Sequence, residues 1–427
     1  MNRRKFVENS SIASLGIMSS AYLPKLKQKE KIKIGVLGYG WFGMRLVKAL
    51  MRVGGAEIIA VCDIDAEHLQ NGADEIEQLQ GSRPRAYKNY LELLEQDGLQ
   101  AILLATPPHW HALQFIAACK KGLDIYCEKP LAYDINEGLA MIMAAKQAGN
   151  VVQIGFLQRN NVVLERAKSL IRSGRLGAIH QIDARIHYQP NVGDHTIQSP
   201  PPSLDWETWC GPAPKLPYRP SIGHFNWRLE KEYGNGHLVD WGIHHVDFVR
   251  KIMDFGTPKS VVANGSNVAH QGKITTPDTL YVKMDFEECP LIWQHRMWGV
   301  GELDRNLNSG FTFYGEDATM FGTYQKLIIQ PKGKDSKQEI IEAPTKGVLD
   351  MNLSNFLAVV QSRDHSQLIN PIYDGFQTTA TVQLAMMAYY TEGLVKWDDQ
   401  NNTILENEQA AKLLERPYRA QYKRPNF

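Results

Sequence analysis

The sequence predicts an α/β protein: a doubly wound parallel sheet near the N-terminus, then a second half built on strands with one wet face. Three observations carry that prediction. Strand-like and helix-like segments alternate between residues 31 and 154, the pattern of a parallel sheet with crossover helices. A G-x-G-x-x-G run lies between the first strand and the first helix. After residue 155, several short runs alternate apolar and polar residues with a period of two.

Composition is that of a globular chain. The 427 residues are 43% hydrophobic and 22% charged, and at roughly 150 residues per domain they suggest two or three domains. No stretch approaches the ~18 uninterrupted apolar residues of a bilayer span, so no integral membrane segment is expected. Net charge is +1, but residues 1–31 hold seven Lys/Arg against two Glu. The rest of the chain is therefore slightly acidic, which argues against nucleic acid as a partner. Cys62, Cys119, Cys127, Cys210 and Cys289 form no C-x-x-C pair and read as free thiols.

Residues 1–30 are set apart from the fold. Arg3 and Arg4 precede a short, weakly apolar stretch (Ser11 to Leu23) and a lysine-rich segment ending at Lys31. This pattern resembles a twin-arginine export signal and predicts a periplasmic location. The expected division is 1–30 signal segment, 31–154 dinucleotide-binding domain and 155–427 substrate-binding and oligomerisation domain.

Lys31–Leu37 reads as the first strand. Gly38-Tyr-Gly-Trp-Phe-Gly43 follows, then a helix over 44–53 with Leu46, Val47, Leu50 and Met51 on one face. Glu57–Cys62 is the second strand and ends at Asp63. Each part has a mechanical role in binding a dinucleotide. Gly38 permits the tight turn, Gly40 lets backbone approach a pyrophosphate, and Gly43 lets the helix pack on the sheet. The helix N-terminus faces the phosphates, and Trp41 and Phe42 within the glycine motif are assigned to the cofactor. Asp63 suits a ribose 2′,3′-diol and repels a 2′-phosphate, so NAD is favoured over NADP.

Further strands are expected at 99–105, 123–127 and 151–154. Ligands sit beyond the C-terminal ends of such strands, which draws in two loops, Thr106-Pro107-Pro108-His109-Trp110-His111 and Glu128-Lys129-Pro130. His109 and His111 open a helix, where residues two apart diverge, so no metal is expected from them. A cofactor-side role is assigned to that loop and to Glu128. Lys129, set at a strand end against the cofactor, is a candidate proton relay.

The order of these motifs resembles the Gfo/Idh/MocA oxidoreductases, the glucose-fructose oxidoreductase and inositol dehydrogenase group. The resemblance implies a nicotinamide-binding Rossmann domain followed by an α/β domain with a large, mostly antiparallel open sheet. It also implies dimers or tetramers.

The second half fits that implication. A helix is expected over 163–173, strands at 179–188, 260–265, 279–286, 291–298, 327–330 and 339–342, and helices at 352–360 and 375–390. Residues 190–236 form a long connection, and so long a loop is usually functional. Trp206, Trp209, Trp227 and Trp241 are candidates for stacking on sugar rings. Gly234-Asn235-Gly236 leads into a helix carrying Asp240 and His244 at i, i+4, with Asp247 continuing the row. An Asp one turn from a His orients a general base. The segment resembles the family's second motif, which implies Lys129, Asp240 and His244 as the catalytic set. Arg159, His187 and Arg228 are further candidates for gripping substrate.

The expected activity is NAD-dependent oxidation of a sugar, polyol or glycoside hydroxyl with a tightly held cofactor. Redox-neutral glycoside cleavage through a transient keto-sugar is the alternative. The resembling N-acetylgalactosaminide-cleaving members lack the Glu-Lys-Pro lysine, so Lys129 favours net oxidoreduction. A non-catalytic NAD-linked sensor is a third reading, disfavoured because Lys129, Asp240 and His244 are all present. No G-x-S-x-G supports a serine hydrolase.

Overall fold

The computed structural model describes residues 30–343, 345–419 and 421–425. The expected export segment therefore lies outside the described residues, apart from Glu30.

Six strands form the first sheet: β1 (Ile32–Leu37), β2 (Ala56–Cys62), β3 (Arg85–Tyr87), β4 (Ala101–Leu104), β5 (Asp124–Cys127) and β6 (Val152–Ile154). Their order is β3-β2-β1-β4-β5-β6 and every pair is parallel. β4 and β5 are buried on both faces, as continuous apolar runs in a parallel sheet should be. The direction of winding reverses between β1 and β4, which opens a crevice at their C-terminal ends. β3 escapes the sequence reading because three residues, two exposed and one buried, are too short a run to show a period.

The predicted first helix forms as Trp41–Val53 and buries Gly43, Leu46, Val47, Ala49 and Leu50. A second layer comes from far along the chain. Leu353, Phe356 and Val359 of the helix Val348–Ser362 join Ile34, Val36, Leu46 and Leu103 in one apolar cluster. Gln153 donates to the Asn352 carbonyl at 2.7 Å and fixes the same contact.

The second sheet has ten strands: β7 (Ile179–Ile186), β8 (Ser260–Ser266), β9 (Thr279–Asp285), β10 (Pro290–Arg296), β11 (Ser309–Gly315), β12 (Ala318–Gly322), β13 (Lys326–Pro331), β14 (Glu339–Glu342), β15 (Val395–Asp398) and β16 (Thr403–Leu405). Only β7 and β10 pair in parallel; the other neighbours are antiparallel. The expected mostly antiparallel sheet is present. β9 and β10 alternate buried with exposed or half-buried positions along their length. β11 and β12 were not legible, because Gly310, Gly315 and Gly322 break the alternation. The glycines are needed for close packing: a Cβ on Gly310 would lie 2.5 Å from the Gly322 carbonyl oxygen.

The long connection folds on itself. Leu204, Trp206, Trp209, Tyr218, Ile222 and Tyr233 make a small separate core. Trp206 and Trp209 stack with ring centroids 4.6 Å apart and are both buried. Trp206 is a packing residue, which corrects the expectation that it offers a face to sugars; Trp209 packs here and also borders the crevice at the ends of β1 and β4. All five cysteines are buried and free.

Candidate active site

The glycine turn has the backbone geometry that the three expected tasks require. Gly38 sits at φ +87°, and a Cβ there would lie 3.0 Å from the Ala105 carbonyl and the Thr106 nitrogen. A Cβ on Gly43 would lie 2.0 Å from the Gly38 carbonyl oxygen, so only glycine lets the helix close on the turn. A Cβ on Gly40 would meet nothing within 4 Å. That open side faces the cleft, and no side chain caps the helix that starts after Gly40. The uncapped N–H groups and the bare backbone form a cradle for an anion.

Asp63 stands at the end of β2 beside that cradle. Its two oxygens accept from the backbone nitrogens of Tyr39 at 2.7 Å and Asp65 at 2.9 Å. Burial pushes its carboxyl upward, and those two N–H groups oppose the shift. One lone pair on each oxygen remains for a ligand hydroxyl.

The cleft has two lobes. The near lobe, about 580 Å³, is lined by Gly38, Gly40, Asp63, Thr106, Pro107 and Trp110, among others. The far lobe, about 570 Å³, is lined by Glu128, Lys129, Asp240, Trp241 and His244. Trp41, Phe42, Thr106, Trp227 and Arg228 line both lobes and so mark their junction.

In the far lobe, residues distant in sequence converge. Lys129 Nζ donates to the Asp240 carbonyl oxygen at 2.6 Å and to Asp240 Oδ1 at 2.9 Å. Arg228 Nε lies 3.2 Å from Asp240 Oδ2. The Arg228 guanidinium also rests over the Trp227 and Phe225 rings, at 4.4 and 4.9 Å. Burial alone would raise the Asp240 carboxyl; Lys129 and Arg228 overcome it and hold it at about 2. His244 is pushed well below its ordinary range by burial and then by the Lys129 charge, so its imidazole is neutral. Its Nδ1 is buried without a hydrogen-bond partner. Glu128 lies next to Lys129 with Oε1 unpartnered, and burial pushes its carboxyl up to about 8 against the opposing Lys129 charge. A Cβ on Gly155 would lie 2.4 Å from that oxygen, so Gly155 makes the space it occupies.

The expected Asp240–His244 hydrogen bond is not formed. The helix opens with a π-turn over Leu238–Gly242 before the α-helix Ile243–Met253. The wider i→i+5 turn breaks the i, i+4 alignment. The Asp240 carboxylate turns to Lys129 and Arg228 instead. Asp247 does not extend the row either, because its carboxylate binds Arg159.

Four other candidates fall outside both lobes. His109 is packed between Trp209 and Tyr233, with Nε2 2.9 Å from the Trp209 carbonyl. His111 has Nε2 2.7 Å from the Thr106 carbonyl and Nδ1 3.0 Å from the Pro130 carbonyl. It ties the two loops together and touches neither lobe. The helix Pro108–Lys120 turns both rings inward. Arg159 is buried in ion pairs with Asp247 and, at 2.7 Å, with Asp374, so it has no free face for a substrate. His187 accepts from the Arg296 backbone nitrogen at 3.0 Å and lies 3.2 Å from Glu302. It follows the end of β7 and lines neither lobe.

The far lobe also recruits residues that sequence reading did not select: Tyr188, His237, His245, Ser309 and Tyr324. Tyr324 Oη lies 2.8 Å from His245 Nδ1. His245 stands in the doublet His244-His245 and His237 at the start of the same helical segment, whereas Tyr188, Ser309 and Tyr324 arrive from separate strand ends. Trp241 is half exposed at the rim, as its proposed contact with a ligand requires.

Fold and site together define a two-sheet protein with a dinucleotide cradle opening onto a basic and histidine-bearing chamber. Profiles described as oxidoreductase family, NAD-binding Rossmann fold, and oxidoreductase family, C-terminal alpha/beta domain, match residues 32–156 and 191–424. The chain belongs to the Gfo/Idh/MocA oxidoreductase family.

Among relatives, a 2,7-anhydro-N-acetylneuraminate hydratase of Mediterraneibacter gnavus is 27% identical over 61% of this chain and 59% of its own length. Inositol 2-dehydrogenase 3 of Saccharopolyspora erythraea is 31% identical over 38% of this chain and 46% of its own. The matched region thus spans less than two thirds of these relatives. An inositol dehydrogenase homologue of Azotobacter vinelandii, solved with NAD+, superposes with a TM-score of 0.68 at 17% identity, covering 86% of this chain and 98% of that one. That likeness is one of fold. No helix among the described residues is long and apolar enough to cross a membrane.

Proposed function

We propose that this protein is an NAD(H)-dependent oxidoreductase acting on a hydroxyl or ketone of a sugar, polyol or glycoside. The observation that carries the reading is the convergence of Lys129, Asp240, Arg228 and His244 on one lobe of a cleft whose other lobe holds the glycine cradle and Asp63. The cradle at Gly40 suits the pyrophosphate and Asp63 a ribose diol, so the residues present fit NAD. Bound there, the nicotinamide supplies the hydride acceptor.

The chain's own residues handle the oxygen and its proton. Two of the three Lys129 N–H donors are committed to Asp240, which leaves one for a substrate oxygen. That donor stabilises the alkoxide that develops as the C–H hydride departs. His244, neutral and partly open to the chamber, accepts the hydroxyl proton. Asp240 is the positioning residue: it fixes Lys129 and Arg228 rather than His244. Trp227 and Trp241 at the rim suit the apolar face of a sugar ring.

A redox-neutral variant of the same chemistry is the second reading, favoured by the hydratase named among the relatives. Oxidation acidifies the neighbouring C–H, a substituent leaves, and the hydride returns. The test is mass spectrometry of gently purified protein for bound dinucleotide, then assay against sugars with and without added NAD. NADH accumulation that depends on added NAD supports net oxidation. Product released without added NAD supports the second reading. Absence of any dinucleotide binding overturns both.

Export through a twin-arginine route is part of the proposal, supported by Arg3-Arg4 and the short apolar stretch after them. It explains why a firmly retained cofactor would be useful. Assembly into dimers or tetramers is proposed from the family resemblance. Cell fractionation and size-exclusion chromatography with light scattering check these two points.

A further inference from the structure

A second cluster lies outside the far lobe, at the rim of the near one. Asp65, His68 and His224 place one ligand atom each within 4.8 Å of one another. Asp65 and His68 sit at the start of the helix Ala66–Gln80, where i and i+3 share a face. His224 arrives from the long connection, 159 residues beyond Asp65. Its Nε2 is 2.9 Å from Asp65 Oδ2, and its ring centroid is 4.2 Å from that of His68.

Two details set this cluster apart from ordinary exposed polar side chains. Asp65 is buried and divides its work: Oδ1 caps the helix by accepting from Glu67 N at 2.9 Å, leaving Oδ2 turned to the imidazoles. His224 holds a left-handed backbone conformation, φ +59°, that a non-glycine residue adopts at a cost. The chain accepts that cost to bring a second imidazole onto the carboxylate.

We propose that Asp65, His68 and His224 form a binding site for a divalent first-row transition ion of the zinc class. Two imidazole nitrogens and one carboxylate oxygen are a borderline donor set, suited to Zn2+ or Co2+ and poorly suited to Mg2+. His68 and His224 both line the near lobe, so water in the cleft completes the coordination. The ion staples the nucleotide-sheet side of the cleft to the segment that carries Phe225, Trp227 and Arg228.

The experiment is titration of the full-length protein, stripped with chelator, with Zn2+ by calorimetry, paralleled by Co2+ visible spectroscopy and thermal melts. The expected result is saturable binding of one ion per chain and a Tm raised by Zn2+. In His68→Ala and His224→Ala, binding weakens by more than about tenfold and the Tm increase is lost. Asp65→Asn keeps the helix cap and weakens binding in the same way, which covers the case of an alanine variant that fails to fold. His180→Ala, an exposed histidine paired with Glu316, retains wild-type binding. Failure of Zn2+ to saturate, equal affinity in the three site variants, or equal competition by Mg2+ overturns the proposal. None of these readouts depends on redox activity, so the outcome stands apart from that of the proposed function.

Discussion

Lys129 Nζ lies between two oxygens of a single residue, 2.6 Å from the Asp240 carbonyl and 2.9 Å from Asp240 Oδ1. The carbonyl is exposed because the helix begins with a π-turn, so the backbone and the side chain of Asp240 grip the same ammonium. Lys129→Ala should lower kcat by about 10²–10⁴-fold while dinucleotide binding, followed by fluorescence quenching, is retained. Asp240→Asn should lower kcat through misplacement of Lys129, and leave the cradle unaffected. Wild-type turnover in Lys129→Ala would remove the mechanism.

The two cradle glycines should separate folding from binding. Gly43→Ala drives a methyl into the Gly38 carbonyl at 2.0 Å and should cost about 1–3 kcal/mol of stability. Gly40→Ala meets nothing in the protein. Its melting temperature should match wild type, while dinucleotide affinity falls by more than about tenfold, about 1.4 kcal/mol. Calorimetry and thermal melts of both variants check the contrast.

Arg159 should behave as a structural residue. Arg159→Leu strands Asp247, which is 1% exposed, and should cost about 3–5 kcal/mol of stability in urea denaturation. Assayed well below its unfolding temperature, the variant should keep the wild-type KM for whichever substrate the activity assay identifies. A raised KM at intact stability would return Arg159 to the substrate site.

Acid should destabilise the fold from about pH 6.5 downward. Burial holds His109 and His245 down to about 3 and His237 to about 4. Below the ordinary histidine value, the unfolded chain takes up protons that the native protein refuses. Each ring therefore contributes up to about 1.4 kcal/mol of loss per pH unit, ending near its folded value. Glu128, raised to about 8, has the opposite sign: it costs stability as pH rises from its ordinary range to about 8. Urea midpoints measured across this range should peak at about pH 6.5, where the histidine loss ends and only the Glu128 loss continues, and Glu128→Gln should flatten the alkaline side.

Much of the fold was legible because local pattern and global role agree. The glycine turn, the Leu46-Val47-Leu50 face and the doubly buried β4 and β5 each speak through a few adjacent residues. β11 and β12 were silent, since glycines required by close backbone contact erase the alternation. In the site, Lys129, Asp240 and His244 lie on one lobe as expected, but Asp240 holds Lys129 rather than His244. A π-turn leaves no mark in apolar spacing that an α-helix would not also leave. Arg159, His187, His109 and His111 share one cause of error. Polar residues near a motif looked available, and their partners (Asp247, Glu302, Trp209 and the Pro130 carbonyl) lie where only tertiary structure can bring them.

The helix Val348–Ser362 has one more implication, for the order of events at the ribosome. Its Leu353, Phe356 and Val359 are among the last pieces to reach the nucleotide sheet, although Ile34 and Val36 are among the first to be made. A nascent chain therefore waits through most of its translation with an unfinished apolar layer, the state that attracts chaperones. Polypeptides cut short before Ser362 should remain in that state.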